Sequence, residues 1–189
     1  PARVALVLSK ATDFNERNLT VEPQADPFAR RCQMDFGGFQ QTLCRKDIQG
    51  IWLALRNAQI DVDLITEDDI IEGVNGKDIL PQYATIYFAG EWVNDHAARK
   101  LEGWVKEGGV LYACAGLGRL NQFNQPESSL LNLLGLRSVT IDKNAVHIRP
   151  LLELPLLPPI DSLTLDGVKI PAFAMKQVLT PSDAKVIGT

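Results

Sequence analysis

The chain has 189 residues, 46% of them hydrophobic, enough to bury one sizeable core in a large domain or a domain with an appendage. Nineteen basic residues against 23 acidic ones give a formal charge of −4, and the basic pairs Arg30-Arg31 and Arg45-Lys46 form no stripe for phosphates, so nucleic acid is not an expected partner. No apolar run approaches the roughly 20 residues of a membrane span, and the N-terminus lacks the basic start and cleavage site of a signal peptide; no membrane contact is expected from this segment, and its localisation stays open.

Residues 2–8 form a short apolar run with β-branched members, the pattern of a strand buried on both faces of a parallel sheet. From 9 to 44 the chain is polar and punctuated by Pro23, Pro27 and Gly37-Gly38, which predicts a long irregular loop, well beyond the usual ~2–6 residues between strand and helix. Ile48, Ile51, Trp52 and Leu55 then fall on one helical face. Ile60–Ile65 is the second predicted strand, and Thr66 with Asp69 three residues on is a helix-start signal. The nearby acids Asp61, Asp63, Glu67 and Asp68 fit capping and a solvated surface better than a cation site, since carboxylates in a first helical turn are stabilising there anyway. Ala84–Ala89 is the third strand. Asn94-Asp95 caps a helix that puts Ala97, Leu101, Trp104 and Val105 on one face, and Gly108-Gly109 ends it.

Val110–Ala113 is the fourth strand, Ser128–Leu134 a short helix stopped at Gly135, and Leu136–Ile141 a fifth strand. This alternation predicts an α/β fold over residues 1–143, a flavodoxin-like doubly wound parallel sheet of order 2-1-3-4-5. Beyond it, Pro150, Pro155, Pro158 and Pro159 mark an extended stretch, and Leu163–Ile170 with Asp166-Gly167 at its centre predicts a hairpin. Residues 144–189 are therefore expected as a β-rich extension of the same domain. The chain opens without Met inside a strand and ends just after another strand-like run, Ala184–Ile187, which suggests a segment of a longer protein.

Three cysteines have no metal-ligand spacing and an odd count, against a disulfide framework, although Cys32 and Cys44 remain able to bridge in an oxidising compartment. In an open parallel sheet, ligands sit beyond the carboxyl ends of the strands. That places the loop after Leu8, the run Gly90-Glu91-Trp92-Val93-Asn94, and Cys114-Ala115-Gly116-Leu117-Gly118 on one rim. A thiol at such a strand end is open to activation by helix-terminal amides, with the amides around Ala115 and Gly90 as candidate oxyanion donors. A base is also required, and His147 lies in an alternating strand-like run, leaving His96 as the candidate. The plainer reading, which the residues favour, makes Cys114 a small buried hydrophobe and both histidines structural. Gly116-Leu117-Gly118 begins like a dinucleotide fingerprint but lacks the third glycine and follows the fourth strand, so no cofactor is expected, and no metal. Trp92 beside Glu91 and Asn94 is a candidate sugar platform, with an aromatic at a protein interface as the competing reading. Asn18-Leu19-Thr20 matches a glycosylation sequon, which has meaning only in a secretory context.

Tyr83 to Gly90, the capped helix and Gly108 to Gly116 resemble the class I glutamine amidotransferase-like superfamily, in which a strand ending in a Pro-Gly-Gly-type turn, a helix and a Gly-Gly break lead to a strand carrying a nucleophilic cysteine. Cys114 falls at that position. The elbow Gly-x-Cys-x-Gly is Tyr112-Ala113-Cys114-Ala115-Gly116 here, the Pro-Gly-Gly turn is Ala89-Gly90-Glu91, and no His-x-Glu pair follows. Val62-Asp63-Leu64-Ile65, the apolar third strand, Leu101 to Gly109 and Leu133-Leu134-Gly135-Leu136 are similar to the trimerisation domain of bacterial beta-galactosidases and its relatives, which keep the fold and generally lack the triad. The resemblance covers about residues 2–141. It implies a non-catalytic domain of a larger protein, acting in assembly or in shaping a carbohydrate-related site. The expected partners are other domains of the parent chain, a second copy in a homo-oligomer, and a carbohydrate. The alternatives are a Cys114-dependent amidase or glutaminase-like hydrolase and a sugar-binding module using Trp92.

Overall fold

The computed structural model describes residues 3–19, 43–116, 118–142, 161–172 and 176–187. Cys32, Thr20 of the sequon, His147 and the run Pro150–Pro159 lie outside them. The chain divides into two units, Pro1–Leu133 and Leu134–Thr189.

In the first unit β1 (Val4–Leu8) is the hub of a parallel sheet. It pairs with β2 (Val62–Thr66) on one side and β3 (Thr85–Ala89) on the other, with Val7 opposite Ile65 and Phe88. β4 (Trp92–Val93) is a two-residue strand just past β3, and β5 (Val110–Cys114) pairs with β3, so the sheet runs β2-β1-β3-β5. Its first four strands thus take the order expected of a doubly wound α/β fold. One core gathers Ala5, Val7, Ile65, Ile86 and Phe88 of the strands with residues of three helices. These are Ile70 of α3 (Glu67–Glu72), Leu101 and Trp104 of α4 (Asp95–Lys106) and Leu130 of α5 (Ser129–Leu133). Each large side chain buried there contributes about 1.5–3 kcal/mol, so the strand ends beyond this core are held on a firm base. Two earlier helices, α1 (Lys10–Leu19) and α2 (Leu43–Asn57), complete the unit; α2 packs on β1, β2 and β3 and buries Leu55.

Two helix starts follow their sequence signals. Thr66 caps α3 in a reciprocal capping box with Asp69, and the Asn94 side chain caps α4 by accepting the His96 N–H at 2.9 Å. The long loop predicted over 9–44 is corrected at its start, where Lys10–Leu19 is helical. Only Ala11 and Thr12 of its described side chains are buried, while Phe14 is exposed, so the helix carries no apolar stripe to reveal it. Ser9 starts it, its hydroxyl accepting the Thr12 N–H at 3.0 Å and its carbonyl the Asp13 N–H at 3.0 Å.

The second unit holds the other corrections. The fifth strand, β7 (Leu136–Asp142), does not extend the parallel sheet; it pairs antiparallel with β10 (Lys176–Pro181). Its burial explains why: Leu136 and Val139 are buried while Arg137, Ser138 and Thr140 are exposed, which suits a one-sided antiparallel strand and not one covered on both faces. The predicted hairpin is present as β8 (Asp161–Leu165) and β9 (Val168–Ala172), joined by Asp166 and Gly167 at φ 49° and 80°, the left-handed pair that a tight hairpin turn demands. Residues 184–187 form no strand, and Val186 and Ile187 are exposed. Among the described residues, no helix is long and apolar enough to cross a membrane.

Candidate functional site

The carboxyl ends of β1, β2 and β3 meet around a buried carboxylate. Glu67, the first residue of α3, is 2% exposed. Its Oε2 accepts the N–H of Ala11 in the first turn of α1 at 3.0 Å, and its Oε1 accepts the N–H of Asn94 at 2.7 Å. Burial pushes its pKa up, while these amides, the Ser9 hydroxyl and the Lys10 amide pull it down, with burial the larger effect. Beside it, Thr12 closes on β4: its hydroxyl donates to the Trp92 carbonyl at 2.7 Å and accepts the Trp92 N–H at 3.1 Å, and the Ser9 hydroxyl donates to the same carbonyl at 3.0 Å.

The turns after β3 and β5 are zipped to one another. The Gly90 N–H donates to the Cys114 carbonyl at 3.2 Å and the Gly118 N–H to the Gly90 carbonyl at 2.8 Å; the Leu120 N–H, in β6 (Leu120–Asn121), reaches the Glu91 carbonyl at 3.1 Å. Contact is tight enough to require glycine twice. A Cβ on Gly90 would lie 2.3 Å from Thr12 Oγ1, and one on Gly116, at φ 104°, would lie 2.8 Å from Glu91 Cα. The buried Glu91 carboxylate receives the Arg119 guanidinium, with Nε at 3.0 Å and Nη2 on the same oxygen.

Cys114 is half-buried at the end of β5, and its sulfur lies 4.0 Å from Asp47 Oδ2 near the start of α2. Burial, and then the Asp47 charge, push the thiol up to about 12 from an ordinary 9.0. Asp47 is exposed at the surface, yet the protein around its carboxyl still raises its own pKa. The non-glycine residue at positive φ in this turn is Ala115, at φ 53°, one past the thiol and not the thiol itself. His96 is turned to solvent, its side chain 68% exposed and its Nε2 3.9 Å from Asp95 Oδ1. The proposed sugar platform is corrected: Trp92 is 2% exposed and its indole N–H donates to Asn124 Oδ1 at 3.0 Å, so it offers no stacking face. Among the described residues, no group of three or more His, Cys, Asp or Glu side chains is placed to hold a metal ion.

Gly90, Glu91, Trp92, Ala115 and Gly116 thus meet at one rim, and Asn94 joins it through its N–H to Glu67. The whole chain overlays on part of Gan42B, a GH42 beta-galactosidase, with a TM-score of 0.69 at 16% identity. It also overlays on a catalytic mutant of Gan42B from G. stearothermophilus, with a TM-score of 0.65 at 17% identity. The chain has the fold of a beta-galactosidase region. In both cases 100% of this chain matches 23% of the other, so it spans less than a quarter of that enzyme's length. No protein-family model and no curated protein matches it. The likeness at these identities is one of fold, and it agrees with the resemblance drawn from the Gly-Gly break and the strands on either side of it.

Four residues that build the rim went unassigned in the sequence: Ser9, Thr12, Asp47 and Arg119. In the sequence Glu67 reads only as a helix-capping acid. Ser9 carried a signal, a hydroxyl directly after a buried strand. Asp47 and Arg119 carried none, because their partners lie 67 and 28 residues away.

Proposed function

We propose that this segment is a non-catalytic domain of a larger carbohydrate-active protein, serving in assembly or in shaping a site on a neighbouring domain. One observation carries the reading: the rim where a doubly wound sheet takes its ligand is filled by the chain's own Glu67, Thr12, Trp92 and Glu91. The likeness to a region of a beta-galactosidase supplies the carbohydrate context. The Cys114 environment supports the same conclusion, because a nucleophilic thiol needs a cationic or amide neighbour to stabilise its thiolate, and a carboxylate does the reverse. At pH 7 a thiol of that pKa is thiolate only about once in 10⁵ molecules.

The amidase alternative places its oxyanion donors at Ala115 and Gly90, and the Gly90 N–H is already spent on the Cys114 carbonyl. The test is sedimentation of the full-length protein with and without residues 1–189. A smaller species on deletion, with turnover of a beta-galactoside falling in parallel, is the expected result; unchanged mass and unchanged turnover would sink the proposal. Glutamine hydrolysis that vanishes in Cys114→Ala would establish the amidase instead.

A further inference from the structure

Glu67 is more than a filler, because the groups that hold it form a recognisable receptor. Each carboxylate oxygen faces a different helix start, Oε2 the ten-residue α1 and Oε1 the twelve-residue α4. The donors are the amides of Ala11 and Asn94, one on each oxygen. Amides at helix starts are how proteins hold free carboxylates and phosphates, since the unpaired N–H groups and the helix dipole act together. With both oxygens accepting N–H groups, the carboxylate form suits the donors. The position, beyond β1 and between its two neighbouring strands, is the crevice in which doubly wound sheets bind ligands.

We propose that Glu67 is a tethered ligand: the rim is a built carboxylate-binding site whose occupant is a side chain of the chain itself, and removing that side chain opens the site to a small free monocarboxylate. Beyond Cβ the glutamate consists of one carbon and a carboxylate, the heavy-atom set of acetate. Glu67→Ala therefore leaves a cavity of acetate size lined by the same amides. A carboxylate places one oxygen at each helix start, as Glu67 does, whereas a single-atom anion such as chloride reaches only one of them at a time. Trimethylacetate, with the same head group, is too bulky for the cavity.

The experiment compares thermal melting of the 189-residue chain and its Glu67→Ala variant in sodium acetate and in sodium chloride at equal ionic strength and pH 7. In chloride the variant is expected to melt roughly 5–10 °C below the parent chain, since buried amides lose their acceptor. Acetate should restore at least half of that shift with a saturable dependence on concentration, while trimethylacetate restores none. The amide resonances of Ala11 and Asn94 should move with acetate in the variant and stay fixed in the parent chain. Thr12→Val, destabilised in the same rim with Glu67 intact, controls for general salt effects and should respond to acetate no more than to chloride. Equal melting of Glu67→Ala in the two salts, or an equal acetate gain in Thr12→Val, would overturn the proposal. If Glu67→Ala does not fold in chloride, Glu67→Ser, which keeps a hydroxyl at the helix start, takes its place. Acetate-dependent folding of either variant supports the tethered ligand, and indifference of both to acetate refutes it.

Discussion

Glu67 and Asp47 are both carboxylates set close to strand ends of one parallel sheet, but the first is enclosed by amides of two helix starts whereas the second meets a thiol and solvent. The two groups that hydrogen-bond the Glu67 carboxylate, the Ala11 and Asn94 amides, both donate, and the strand ends are drawn together. Around Cys114 the nearest partner is an anion, and neither group stabilises the charge of the other. The difference teaches that a fold which supports thiol chemistry elsewhere needs more than the cysteine at its strand end. Donors have to face the sulfur, and in this chain the donors of the rim are committed to Glu67, Trp92 and the turn carbonyls.

The contrast can be broken most sharply at the turn between the two regions. Gly116→Val drives a side chain into the Glu91 backbone at a left-handed φ, and should cost about 3 kcal/mol or more, lowering the melting temperature by roughly 10 °C. Gly108→Ala is the comparison, with a similar φ of 107° but nothing within 4 Å of the new Cβ; it should cost only about 1–2 kcal/mol in urea titrations. Next in size is the alkaline branch. Because the folded thiol titrates higher than the unfolded one, the folded state binds more protons, and the stability it contributes is lost as pH rises from 9.0 toward about 12. Urea titrations should therefore show the parent chain losing about 2 kcal/mol more than Cys114→Ala by roughly pH 11, with some loss of the effect through solvent at the half-buried sulfur. A smaller gap between the two curves than about 0.5 kcal/mol would place Cys114 in a more watery setting than its neighbours imply.

On the Glu67 side, Thr12→Val preserves shape and removes the hydroxyl that both donates to and accepts from Trp92; about 1–2 kcal/mol of stability should go with it, read as a lower urea midpoint at unchanged slope. The smallest effect tests the Cys114 side by itself. Asp47→Asn removes the lesser of the two causes that raise the thiol, so alkylation of Cys114 by iodoacetamide at pH 8 should quicken about three- to tenfold and remain far slower than for an exposed cysteine. An unchanged rate would mean that burial alone governs the sulfur.

Much of the sheet was legible because its signals are local. Continuous apolar runs marked β1 and β3, Thr66 and Asn94 announced helix starts, and Asp166-Gly167 marked the hairpin turn. The fifth strand was misplaced although its sequence carried a warning: Leu136-Arg137-Ser138-Val139-Thr140 has polar residues where a strand covered on both faces would have none. Helix α1 escaped because, among its described side chains, only Ala11 and Thr12 are buried, too short a stripe to register as periodicity. In the rim, sequence reasoning located the converging turns and overvalued Trp92, since an aromatic at a strand end reads the same whether it faces solvent or fills the gap under a neighbouring helix. The pairing of Glu91 with Arg119, and of Glu67 with two helix starts, depends on which turns meet in space, and no spacing along the chain encodes that.

The pairing of β7 with β10 also decides where this polypeptide tolerates being cut. A fragment ending at residue 143, where the alternation of strands and helices stops, would keep β7 and discard the strand that covers its edge, leaving a row of free amides and carbonyls to recruit another chain. A fragment ending at Leu133 would keep every strand of the parallel sheet with its partner. Strand β10, Lys176–Pro181, is therefore the clasp on which clean expression of β7 depends.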